Sequence, residues 1–336
     1  MSRAAVLTGL GTYVPPRVVT NDELSRTMDT SDEWIRSRTG ITRRHWAEPG
    51  TATGDLAVEA GERALKSAGS GDADLVVLAT TTPDHPCPAT APDVAARLGL
   101  DAVAAYDIGA VCSGFIYAMA SAAGAIAAGI AERALVIGAE TYSTILNPED
   151  RTTSVIFGDG AGAVVLRAGD PAEPGALLGH DLGSDGSLKD LIIVPAGGSR
   201  RPSAAADASG ARPAETYFHM EGKPVFRHAV TRMAASSRAM LDRAGWDPES
   251  VDRFVGHQAN VRILHAVADQ LGMARDRTVV NLDRVGNTSA ASIPLALADA
   301  VAGGLLTPGD RVLLSAFGGG VTWGSTALVW PEIVAD

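Results

Sequence analysis

Short aliphatic runs alternate with alanine-rich stretches along the whole chain. The runs Val76 to Ala79, Leu135 to Gly138, Ala163 to Leu166, Phe254 to Val255, Val312 to Ser315 and Thr326 to Val329 are too short for helices and rich in β-branched residues, so they read as strands. Helical segments between them place the chain in the α/β class. One stretch, Ile108 to Ile130, carries no charge and is long enough to span a bilayer. Ala and Gly dominate it, and Ser113 and Ser121 interrupt it, so its transfer into lipid is weakly favourable. Its small residues let other backbones approach closely, which predicts a helix buried at the centre of the protein.

The pattern also repeats. Leu65-Lys-Ser-Ala-Gly69 and Leu241-Asp-Arg-Ala-Gly245, each a helix end before a strand, are offset by 176 residues. The strands that follow start at Asp74 and Asp252, 178 apart, and two Ala-rich helices open at Cys112 and Asn287, 175 apart. Three landmarks at nearly one offset predict two copies of one α/β unit, residues 1–172 and 173–336, packed face to face. Equivalent loops then converge between the halves, where a site is expected.

Composition narrows the function classes. Of 336 residues, 46% are apolar and 20% charged, a globular balance. Twenty-eight basic against 39 acidic residues leave a net charge of −11, so no field favours a phosphate backbone and nucleic acid is not an expected partner. Lys66, Lys189 and Lys223 are the only lysines, which leaves any phosphate site to arginine. Cys87 and Cys112 cannot make a disulfide framework, and the seven histidines lack metal-ligand spacing. No metal, no membrane partner and free thiols are expected. The N-terminus lacks a signal-peptide pattern, which makes the cytoplasm the expected compartment. Pro195 to Thr216, rich in Gly, Ser, Ala, Arg and Pro, is expected to be a mobile surface loop.

Cys112 follows the strand-like Ala104 to Ile108 and begins the buried helix. There the helix dipole and free N–H groups favour a thiolate, although a cysteine is equally at home as a small buried apolar residue. His257, in VGHQAN after a strand, is either a structural histidine or a catalyst facing Cys112. Asn287, in RVGNTSAASIP, is either a helix cap or a third member of that group. GLGTY from Gly9 fails as a dinucleotide site because Val14 stands where a small residue is needed and Pro15-Pro16 blocks the helix. GDGAGA from Gly158 reads as a tight strand connection, and AFGGGVTWG from Ala316 as a turn able to offer an N–H to an oxyanion.

Taken together, YDIGAVCSGFIYA, VGHQANVRI, RVGNTSAASIP, SAFGGGVTWG, DEWIRSRTGI and FGDGAGAVVL resemble the β-ketoacyl-acyl carrier protein synthase III family of condensing enzymes, in order and over nearly the whole chain. The resemblance implies a thiolase fold, two duplicated halves in a five-layered αβαβα core, usually as a homodimer. It implies Cys112, His257 and Asn287 as catalytic residues and the N–H groups of Cys112 and Gly319 as the oxyanion hole. Cys112 would take an acyl group from acyl-CoA, and His257 and Asn287 would stabilise the enolate formed as malonyl-acyl carrier protein loses carbon dioxide. No cofactor is then needed, since acyl-CoA is a substrate and its thioester carbonyl is the electron sink. The same resemblance implies Thr30, Trp34, Arg38 and Arg151 around coenzyme A, and Cys87, Phe157 and Phe317 around the acyl group. Arg227 and Arg262 would face the carrier protein. On residue type alone, Trp34 would also serve as an ordinary amphipathic surface anchor.

Two departures from the family pattern carry expectations. Cys87 stands where a bulky aromatic often reaches across the dimer, which predicts a deeper acyl pocket and longer or branched starters. Asp269 and Gln270 stand where some members have lysines, which predicts weaker or altered carrier docking. A non-decarboxylating acyltransferase on the same fold would keep Cys112 and His257 without needing Asn287. A cysteine hydrolase is opposed by the two-half architecture, and a non-catalytic subunit by the presence of Cys112.

Overall fold

A computed structural model describes residues 3–202 and 212–334. The N-terminal half runs β1 (Ala4–Tyr13), β2 (Val18–Thr20), α1 (Asn21–Leu24), α2 (Asp32–Thr39), β3 (Arg43–His45), α3 (Thr53–Ser67), β4 (Leu75–Ala79), α4 (Ala91–Arg97), β5 (Ala104–Ile108), α5 (Gly114–Ala127), β6 (Arg133–Glu140) and β7 (Gly160–Gly169). The C-terminal half runs β8 (Leu177–Ser184), β9 (Ile192–Ile193), β10 (His219–Met220), α6 (Gly222–Ala244), β11 (Arg253–Gly256), α7 (Val261–Leu271), α8 (Leu282–Val285), α9 (Ser292–Ala302), β12 (Arg311–Gly318) and β13 (Thr322–Val329). Every aliphatic run read as a strand lies in one of these strands.

The internal repeat is visible in the strand order. The first sheet runs β1-β7-β6-β4-β5 and the second β8-β13-β12-β11. Parallel and antiparallel pairings correspond one to one, and a parallel bridge from Phe254 to Thr278 stands where β5 pairs with β4. Helices α5 and α9 lie between the sheets, α3 and α4 cover the outside of the first, and α6, backed by α7, covers the second. The result is the five-layered thiolase architecture.

The layering follows from side-chain alternation. In β4, Leu75, Val77 and Ala79 face the central helices while Val76 and Leu78 face α3; in β6, Ala134 and Val136 face inward while Leu135 and Ile137 face α3. The uncharged stretch supplies α5, whose Phe115, Ile116, Met119 and Ile126 are buried in that centre. Small residues permit the approach: a Cβ on Gly138 would collide with the backbone carbonyl of Ala290, at the turn entering α9. Among the described residues no helix is long and apolar enough to cross a membrane. Residues 203–211 of the segment expected to be mobile lie outside the described residues; beside them, Arg212 bonds the Thr144 and Thr216 carbonyls at 2.7 and 2.8 Å.

Candidate active site

Both halves deliver a strained turn to the same place. After β5, Val111–Ser113 form a single 3-10 turn into α5, and Ser289–Ala291 form its counterpart into α9. Val111 and Ser289 hold φ of 47° and 49°, a left-handed conformation disfavoured for side chains other than glycine and especially for β-branched valine. The surroundings enforce the first turn. Ser113 Oγ donates to the Ala110 carbonyl at 2.8 Å and pairs with Thr322 Oγ1 at 2.7 Å, while Gly318 packs so closely that its Cβ would lie 2.7 Å from the Cys112 nitrogen.

Cys112 is buried, and burial pushes its thiol up to about 12, with the Ser289 side chain pulling in the opposite direction. The position at a helix start does not outweigh desolvation here. The resting group is therefore the thiol, a correction to the thiolate expected from helix position alone.

His257 follows β11, its N–H donating to the Ser315 carbonyl at 2.8 Å. Its Nδ1 lies 2.6 Å from Ser292 Oγ, and that oxygen also accepts the Gln258 N–H at 3.4 Å. Among the described residues Nδ1 is the only acceptor the Ser292 hydroxyl meets, so the hydroxyl donates to Nδ1 and the imidazole proton sits on Nε2. Burial holds the ring down to about 3, so it is neutral at any working pH.

Asn287 is pinned by its backbone to the other half: its N–H donates to the Ile156 carbonyl and its carbonyl accepts from the Gly158 N–H, both at 2.9 Å. Its Oδ1 accepts the Ser289 N–H at 2.8 Å. The amide oxygen therefore caps the turn, and Nδ2 is left to donate elsewhere. Cys112, His257 and Asn287 line one cavity of about 40 Å³ whose remaining walls are apolar, among them Phe157, Phe218, Met220 and Phe317.

A neutral imidazole N–H and an amide N–H₂ placed beside a buried thiol, in a cavity otherwise without charge, suit a carbonyl that acquires negative charge. Comparison with known proteins agrees. Models of the 3-oxoacyl-[acyl-carrier-protein] synthase III family match residues 106–186 and, for its C-terminal part, 241–330. The chain is 72% identical over 335 residues to β-ketoacyl-[acyl-carrier-protein] synthase III 5 of Streptomyces coelicolor, covering 100% of both. The chain belongs to the β-ketoacyl-acyl carrier protein synthase III family. It is also 54% identical over 334 residues to the Pseudomonas aeruginosa synthase III, covering 99% of each. The crystal structure of 3-oxoacyl-(acyl carrier protein) synthase III from Pseudomonas aeruginosa superposes with a TM-score of 0.91 at 52% identity, over 99% and 100% of the two chains. The priming β-ketosynthase of the R1128 polyketide pathway superposes at 0.89 and 34% identity, over 98% and 97%. This synthase is a condensing acyltransferase that initiates fatty-acid or polyketide synthesis.

The other residues singled out by sequence lie in and around the synthase's cavity and on the surface beyond it. Trp34, on α2, has the Arg38 guanidinium 4.5 Å and the Arg151 guanidinium 5.4 Å from its ring centre. Arg151 bonds the Asp29 carboxylate at 2.9 Å, beside Thr30, whose buried hydroxyl has no partner. Arg227 and Arg262 are exposed and flank Phe226, with Arg262 5.9 Å from that ring, next to the cavity residues Val225 and Ile263. Asp269 is tied by two bonds to Arg275, so its charge is locally balanced. Gly319 sits in the turn between β12 and β13, its α-hydrogen face against Val111 and Ile192. Cys87 is exposed and free, outside the cavity lined by Phe157 and Phe317 in a single chain.

Sequence reasoning passed over several residues that shape the site. Ser292 sets the His257 tautomer, and its signal was the second serine of NTSAAS. Asn260 caps α7 through the Arg262 N–H and donates to the Arg38 carbonyl at 2.9 Å, joining the helix of Trp34 to that of Arg262. Tyr142 stacks on Phe157, centroids 4.4 Å apart, and meets Phe218 edge-on at 5.2 Å, which makes an aromatic floor behind the cavity. Glu140, an acid closing the apolar run ALVIGA, is completely buried.

Proposed function

We propose that Cys112 carries the acyl group through a decarboxylative condensation of acyl-CoA with malonyl-acyl carrier protein. The observation that carries this reading is the convergence of the Cys112 thiol, the His257 Nε2–H and the Asn287 amide on one apolar cavity. The thiol attacks the thioester carbonyl, the N–H groups of Cys112 and Gly319 receive the oxyanion, and the thiol's proton leaves with coenzyme A. Malonyl carrier protein then binds with its thioester carbonyl between His257 and Asn287. Carbon dioxide departs, the two donors hold the enolate, and its carbon attacks the acyl-cysteine to give β-ketoacyl-carrier protein and the Cys112 thiolate, which takes a proton from water to return to the resting thiol.

The chemistry draws its drive from lost carbon dioxide and needs neither metal nor redox cofactor. Two donors are what an enolate requires and more than acyl transfer alone requires, which favours condensation over the non-decarboxylating alternative. Phe157 and Phe317 supply the wall against the acyl group, and Arg227 and Arg262 the positive face for an acidic carrier. The outer edge of β5 is unpaired among the described residues and Tyr106 on it is 37% exposed. An open edge of this kind is normally covered, which supports a homodimer in which Cys87 meets the partner's pocket. The uncombined thiols suit a reducing cytoplasm.

The test is intact-protein mass spectrometry after exposure to acetyl-, isobutyryl- and hexanoyl-CoA, followed by malonyl carrier protein with carbon dioxide measured. One acyl adduct on Cys112, discharged with carbon dioxide release, is expected. Discharge without carbon dioxide would replace this reading by simple acyl transfer.

The pair of arginines around Trp34 suits an adenine ring and phosphates, by stacking and by charge. Arg38→Ala or Arg151→Ala is expected to raise KM for acetyl-CoA about tenfold, one charge-assisted contact. The corresponding acyl thioester of N-acetylcysteamine, which lacks the nucleotide, should react nearly as before. Equal losses with both substrates would remove the nucleotide site from this place.

A further inference from the structure

Glu140 closes β6 with its carboxylate wholly buried, and no arginine or lysine pairs with it among the described residues. Three of its donors come from its own half: the Thr81 N–H at 3.0 Å, Thr82 Oγ1 at 2.8 Å and Thr80 Oγ1 at 3.4 Å. The fourth comes from the other half, Ser289 Oγ donating to Glu140 Oε1 at 2.9 Å. Taking a carboxylate out of water with no counter-charge is unfavourable, and an apolar residue of the same size would fill the space without that cost.

The strain sits at the donating end of this bond. Ser289 is held at φ 49°, a left-handed conformation disfavoured for a residue with a side chain. Its backbone N–H fixes Asn287 Oδ1, which decides that Nδ2 and not Oδ1 faces the cavity. Asn287 has no other side-chain tether among the described residues, so the Ser289 turn alone orients its amide. A buried acid thus holds, through the serine's hydroxyl, the strained residue whose backbone N–H aims the enolate donor.

We propose that Glu140 is a positioning residue: through the Ser289 hydroxyl it locks the 287–289 turn of the opposite half and so aims the Asn287 amide at the extender thioester. This rests on the condensing role given to Asn287 above. Glu140 touches neither substrate, and its effect runs through hydrogen bonds of a turn rather than through charge on the reacting atoms. Indeed its charge opposes the Cys112 thiolate, and burial holds its carboxyl up to about 7. The proposal therefore separates two observables in opposite directions when Glu140 is removed.

The experiment measures malonyl carrier protein decarboxylation and iodoacetamide alkylation of Cys112 separately, in full-length Glu140→Ala, Glu140→Gln, Ser289→Ala and the Glu140→Ala/Ser289→Ala double variant. Glu140→Ala and Ser289→Ala should each lower decarboxylation kcat roughly 10- to 100-fold, the usual range for a residue acting through another, with KM for the carrier substrate little changed. Because both act through one bond, the double variant should be no slower than the slower single variant. Alkylation at fixed pH should be as fast or faster in Glu140→Ala. Glu140→Gln, which retains a hydrogen bond to Ser289 through its amide, should recover most of the decarboxylation.

Multiplying losses in the double variant, or full decarboxylation by Ser289→Ala, would overturn the proposal. So would parallel losses of decarboxylation and alkylation in Glu140→Ala, the signature of a merely loosened core; alkylation is not read in Ser289→Ala, whose hydroxyl also acts on the Cys112 thiol. Should Glu140→Ala fail to fold, Ser289→Ala and Glu140→Gln decide the matter through the same kcat and KM split. Unchanged decarboxylation in Asn287→Ala would instead defeat the underlying assignment of Asn287, and is measured alongside.

Discussion

Cys112→Ala is expected to abolish acyl loading and to cut condensation by more than about 10⁴-fold, because no other group at the cavity can form the acyl-enzyme. The His257 and Asn287 donors remain in place, so malonyl carrier protein should still lose carbon dioxide without forming a carbon–carbon bond. The side chain is small, and removing a sulfur should cost no more than about 1–2 kcal/mol of stability, below the usual large-to-small penalty for bigger residues. Circular dichroism and thermal melting would verify the fold. An acyl adduct on another residue of the variant would disprove the nucleophile assignment.

Asn287→Ala and His257→Ala should each lower decarboxylation by ~10²–10³, the loss typical of one donor to a developing oxyanion, or roughly 2.7–4 kcal/mol. Acylation of Cys112 by acetyl-CoA should fall much less, since its oxyanion is held by backbone N–H groups. The pH dependence follows from the lowered His257 value: a ring whose proton leaves near 3 is already neutral at pH 5, so His257 contributes no limb near the ordinary histidine value, and a limb near 7 would report Glu140 instead. Ser292→Ala frees the tautomer and should lower decarboxylation without giving His257 such a limb, because burial and not Ser292 holds the ring's value down. Stopped-flow carbon dioxide release between pH 5 and 8 measures both effects. Equal losses in acylation and decarboxylation would assign these side chains to the fold and not to the enolate.

The readings that came from local chemistry depended on few residues at short range. Val76–Ala79 alternates between two buried layers, so its apolar run alone identifies a strand. The Ile108–Ile130 stretch could only be a central helix, since nothing else accommodates so many small uncharged residues between two sheets. The offsets near 176 made the duplication legible before any coordinate, and with it the meeting of Cys112, His257 and Asn287.

What the sequence by itself determined, then, was the layer pattern and the repeat, which follow from periodicity, while Cys112, His257 and Asn287 were singled out by the resemblance of their motifs to the family's. Tertiary structure alone decided their states. Desolvation at Cys112 depends on every layer packed around it, which is why a helix-start thiol expected to ionise is held up to about 12. The proton on His257 Nε2 depends on Ser292, 35 residues away, and the aim of Asn287 on Glu140, whose bond to Ser289 spans 149 residues. Such couplings leave no local mark on the sequence, since hydrogen-bond geometry and dielectric are set by residues that only folding brings within a few ångströms.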